Sequence, residues 1–161
     1  MLFLSLIGCN NIIKNKQTSI DFNCPRVFST AEDRVYIDSG RSLDDVSIKA
    51  KLNNFAISKQ CKQKDAIVII PLDILIIAQP MDNLQNSKIN IPVYISLLDK
   101  YDNLLETQYF MVLGLIKKNS ETNTFIETDI LDMLEVITQY KETSQIVLGF
   151  MLDDKKRDLL N

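Results

Sequence analysis

The chain has no histidine and no tryptophan, and only four glycines and four prolines among 161 residues. Without histidine it lacks the commonest general base, the commonest zinc ligand and the usual activator of a triad nucleophile. The glycines, at positions 8, 40, 114 and 149, are too scattered to form a phosphate-cradling loop. No apolar run approaches the ~20 residues of a spanning helix. A net charge of −3, with both signs interspersed, leaves no broad basic face for nucleic acid. No enzyme is expected, and no cofactor, metal site or nucleic-acid partner.

What is present is ordinary globular composition, 46% apolar and 24% charged, in a length that suits one domain. The start is the unusual part. Residues 1–8, MLFLSLIG, match the end of a secretory apolar region with a small residue before a cleavage point. The basic residues that normally open such a signal are missing, so either the true start lies upstream or the signal is short. Leu6-Ile7-Gly8-Cys9 resembles a bacterial lipobox, which implies a lipidated Cys9; a chance cysteine after an apolar strand is the alternative. Each buried CH₂ of an acyl chain contributes about 0.8 kcal/mol, and several chains on one residue make a durable anchor. Residues 9–23 then form a polar tether without period, and residues 24–161 a single domain.

If Cys9 is lipidated, Cys24 and Cys61 remain as one pair. A bridge between them would contribute about 4 kcal/mol on chain-entropy grounds and would persist only in an oxidising space. Two buried free thiols are the alternative.

Along the domain, extended segments alternate with turns. Residues 26–30 and 34–37 are short strand candidates. Val46 to Leu52 alternates apolar and polar, as a strand with one face on a core does, and Asn53-Asn54 marks a bulge or bend. Asp65 to Ala78, DAIVIIPLDILIIA, reads as a long central strand or two, with Pro71 at a bulge or a place without a ladder partner. Residues 92–98 and 104–116 form a hairpin around Asp99 to Asn103, with an asparagine suited to the left-handed turn position. Ile130, Met133, Leu134 and Ile137 fit a helical stripe, yet a strand over 129–140 fits as well. Gln145 to Leu152 is the last strand, and a helical turn follows. About seven strands without βαβ alternation predict an all-β, antiparallel, Ig-like β-sandwich with a short C-terminal helical turn.

Cys24-Pro25-Arg26-Val27, Ala31-Glu32-Asp33-Arg34, Cys61 and the closing Val147-Leu148-Gly149-Phe150 with Leu152 resemble a family of small uncharacterised alphaproteobacterial lipoproteins. In that family a Cys-Pro-x-Val start follows a lipobox, and a Val-Gly-Phe-x-Leu strand closes the chain. Ser144, Met151 and Asn103 depart from the pattern, the last replacing a turn glycine. The resemblance implies a place and a fold but no reaction.

Other constellations are read as structural. Glu127, Asp129, Asp132 and Glu135 lack the spacing of a calcium loop and suit a solvated face. Asp44-Asp45 suits turn chemistry, and Lys117-Lys118 a strand end that deters edge pairing. Of Tyr36, Tyr94, Tyr101, Tyr109 and Tyr140, the strand members Tyr94 and Tyr109 are assigned to core packing rather than to a glycan platform. In the last strand, Ile146, Leu148, Phe150 and Leu152 should face the core. Gly149 and Met151 should lie on a face open to a neighbour or partner.

The expectation is thus a bacterial cell-envelope lipoprotein facing the periplasm, in the inner or the outer membrane. It would act without catalysis as a structural or protein-binding module in an envelope complex. The alternative is a small-ligand or glycan-binding domain.

Overall fold

The computed structural model describes residues 20–161, so the expected signal, the expected lipobox with Cys9 and most of the expected tether lie outside the described residues. The described chain forms ten strands and one helix. They are β1 (Ile20–Phe22), β2 (Arg26–Phe28), β3 (Val35–Ile37), β4 (Ile48–Ala56), β5 (Cys61–Lys64), β6 (Ile67–Pro80), β7 (Lys88–Leu98), β8 (Leu104–Leu115), β9 (Thr128–Thr138), β10 (Gln145–Phe150) and α1 (Asp154–Leu160). β1, β2 and β3 are only three residues long, and the other seven carry the sandwich.

β6 organises the first sheet. Its β-branched run favours extended backbone. Val68, Ile70, Leu72, Ile74, Ile76 and Ala78 are buried in the core. β9 pairs with β6 from Val68 to Ala78, and the opposite edge of β6 is shared by β5 and then β4. β5 pairs up to Ile69 and β4 begins at Asp73, so Pro71 falls in the gap between them. A residue without an N–H is tolerated there because that edge has no strand to bond. β4 carries the bulge between Leu52 and Asn54. β3 and β1 complete the sheet beside β4 and β5.

The second sheet runs β2-β10-β7-β8. β7 and β8 form the hairpin, in which Asp102, at φ 64°, takes the left-handed position rather than Asn103. Asp99 accepts from the backbone N–H of Tyr101 and of Asn103 and so holds the turn. Residues 129–138 are strand, which settles the helix-or-strand alternative. The pairing is that of an immunoglobulin-type sandwich. β4, β6 and β9 take the places of strands A, B and E, and β8, β7 and β10 those of C′, C and F. Beside β10, where strand G would lie, β2 runs parallel instead.

The disulfide joins Cys24 to Cys61, with Cα atoms 5.3 Å apart. Cys61 is fully buried at the start of β5, so the bridge ties the segment between β1 and β2 to the first sheet.

Candidate functional site

The candidate site is the outer face of the second sheet, and its composition follows from strand parity. On β8, Val112 and Ile116 turn into the core. The alternate residues Tyr109, Met111, Leu113 and Leu115 therefore point outward, each between 54% and 70% exposed. Their neighbours across β7 are Tyr94, Pro92, Asn90 and Lys88. From Thr107 to Ile116 the strand has no charged residue. Tyr109 is thus a surface residue and not part of the core. Both rows of residues 109–116 are apolar, so the sequence carries no parity signal that places it outside.

An open groove of about 610 Å³ runs along this face between the Tyr94–Tyr109 pair and α1. Met151, Lys156 and Arg157 form its other wall. The core row of β10 is as expected, with Ile146, Leu148 and Phe150 fully buried and Met151 40% exposed, while Leu152, past the end of the strand, is only partly buried. Gly149 leaves room here, but for a side chain of this same chain. A Cβ at 149 would lie 2.5 Å from Asp33 Cβ and 2.8 Å from Tyr94 Cε1.

At the head of the groove Asp33 is buried and fully engaged. It accepts from the Tyr94 hydroxyl at 2.6 Å, from the Thr30 hydroxyl at 2.8 Å and from Arg157 Nη1 at 2.9 Å. Burial alone raises the Asp33 carboxyl, but these bonds and the Arg157 charge outweigh it and hold the group below its ordinary 3.8. Burial, with the Asp33 carboxylate beside it, pushes the Tyr94 hydroxyl above its ordinary 10.0, so it stays a donor. Asp153 caps α1 by accepting from Lys156 N. The cluster joins residues 61 and 124 positions from Asp33, and no local pattern marks it in the sequence. It is a latch that fixes α1 beside the groove, and no metal ligand set accompanies it among the described residues.

The acidic stretch lies on and just before β9. Asp129 and Glu135 point outward, Glu127 precedes the strand, and Asp132 falls on the inward row, with its side chain bonded to Met133 N. Glu106 on β8 is also on the inward row, and it accepts from the Thr138 hydroxyl at 2.7 Å. Inward-row carboxylates on edge strands discourage strand addition. The Gln108 side chain donates to Ile137 O, and Lys117 N donates to the Thr128 hydroxyl, so the seam between β8 and β9 is pinned by side chains. Asp44-Asp45 sits in a 3-10 turn, Lys118 lies over the Phe125 ring, and Tyr101 is exposed in the hairpin turn. Among protein-family models, curated proteins and solved structures, none matches this chain.

Proposed function

We propose that the protein is a membrane-anchored lipoprotein of the bacterial cell envelope that works as a non-catalytic protein-binding module. The observation that carries this reading is the outward row Tyr109, Met111, Leu113 and Leu115, four large side chains together on a stretch of β8 that has no charged residue after Glu106. Contiguous exposed apolar surface marks interaction sites more often than it serves solubility. The partner would present a complementary apolar surface, with polar contacts at the rim formed by Lys156 and Arg157. Anchoring by Cys9 would hold the module at a periplasm-facing membrane surface, and the Cys24–Cys61 bridge suits that oxidising space.

The test is photocrosslinking in membranes with a probe at Leu113 and a control probe at Lys51, on the first sheet. One protein should be recovered in stoichiometric amount from position 113 and not from 51. Met111→Lys, with the probe kept at 113, should abolish its capture. Equal recovery of that protein with Met111→Lys would remove the docking face from consideration.

A further inference from the structure

A second concavity lies where β10 stops short. β10 ends opposite Val93, so among the described residues Lys88 to Pro92 of β7 have no strand on that side. The space left over is a cleft of about 530 Å³ between β7, the start of β4 and the segment before β7. That volume lies within the range of small-ligand sites. Ile48, Leu84, Ile89 and Ile91 make its apolar floor, Asn83, Gln85 and Asn86 bring carboxamides to its walls, and Asn90, on the outward row of β7, borders it. One carboxylate, Asp38, and one ammonium, Lys88, also line it, so their charges offset.

The walls are held in place. Asp38 Oδ1 accepts from Ser47 N at 2.8 Å and from Ile48 N at 3.1 Å, Asn83 Nδ2 donates to Asp44 O, and Asn86 Oδ1 accepts from Lys88 N. One group lining the cleft is left over. Tyr36 is only 5% exposed as a residue, but its hydroxyl is not among the buried polar atoms: it reaches solvent at the cleft and bonds to none of the described residues. Its ring is occupied by Phe150 on one contact and by Lys156 on another. The hydroxyl is therefore free to donate to and accept from a ligand in the cleft.

The geometry points to this cleft as a binding site for a neutral, polyhydroxylated ligand, an oligosaccharide, with the Tyr36 hydroxyl as one of its hydrogen-bonding groups. Carboxamides both donate and accept and so match sugar hydroxyls, and the isoleucine floor suits the C–H face of a pyranose. Offset charges in the walls select against ionic ligands. This site goes beyond the protein-docking reading and does not depend on it.

Chitotetraose and maltotetraose, titrated at millimolar concentration into the ¹⁵N-labelled domain, test it. At least one should shift amides of residues 36–48 and 83–91 in a saturable way. Tyr36→Phe should leave the melting temperature unchanged or higher, because the hydroxyl makes no bond within the protein. It should weaken the sugar about three- to tenfold, the worth of one hydrogen bond. The proposal is overturned if neither sugar shifts those amides, if the shifts centre on Tyr94 and Tyr109, or if Tyr36→Phe binds as tightly as the parent.

Discussion

Tyr94 lies directly across the ladder from Gly149, and its hydroxyl oxygen would be 2.9 Å from a Cβ built at that glycine. The ring covers the bare backbone and carries its hydroxyl on to Asp33. Gly149→Ala forces either Tyr94 or the Asp33 backbone to move. It should cost about 1–3 kcal/mol, as overpacking does. Gly40→Ala, where the nearest atoms, Lys155 Cβ and Lys156 Cγ, lie at 3.2 Å, should cost less. Paired urea denaturation curves measure the difference.

Phe150 and Met151 are neighbours with opposite fates. Phe150 is fully buried against Tyr36, and Phe150→Ala should cost about 3–5 kcal/mol. Met151→Gln should change stability little and should weaken partner capture instead. Equal destabilisation by the two, read from thermal melts, would contradict the burial.

Loss of the Cys24–Cys61 bridge should cost about 2–4 kcal/mol, seen as a lower denaturation midpoint in Cys24→Ser/Cys61→Ser. Non-reducing mass spectrometry of exported protein should find the two cysteines in one linked peptide pair.

The Asp33 latch predicts a pH dependence with a definite sign. Its folded carboxyl titrates below the ordinary 3.8, so its contribution is complete above that value and disappears as the pH falls through the folded one. Comparing the parent with Asp33→Asn removes the background of other carboxylates. The stability gap between them should be constant from about pH 7 to about pH 5 and should close on further acidification. A gap that widens in acid would reverse the assignment.

Cys9→Ser should move the protein from the membrane to the soluble fraction after a salt wash. Retention at the membrane would mean that something other than acyl chains holds it.

The legible parts of the fold were those with strict parity. Val46 to Leu52 alternates cleanly, so its buried face and the bulge after Leu52 could be read in advance, and Pro71 falls at one of its two expected places, a gap in the ladder. β9 was ambiguous because Leu131, Met133 and Ile137 are apolar on the outward row, which blurs a period of two. The same departure hid the candidate site: with both rows apolar, Tyr109 looks like core. The Asp33 latch and the Tyr36 cleft were invisible for a different reason. They are assembled from residues far apart in the chain, and residues 83–86 of the cleft wall lie in the stretch 80–90, which is polar, holds no period and reads as loop, although β7 already begins at Lys88.

The parallel pairing of β2 with β10 has a consequence for the order of events during synthesis. Arg26 meets Gln145, so an early segment of the chain finds its ladder partner only after nearly all the rest has been made. Contacts of such long sequence separation form slowly, because a large loop must close before they are rewarded. The β7–β8 hairpin can fold as it emerges, whereas β2 must wait unpaired for β10. A chain crossing a membrane in extended form could thus complete its second sheet only on the far side.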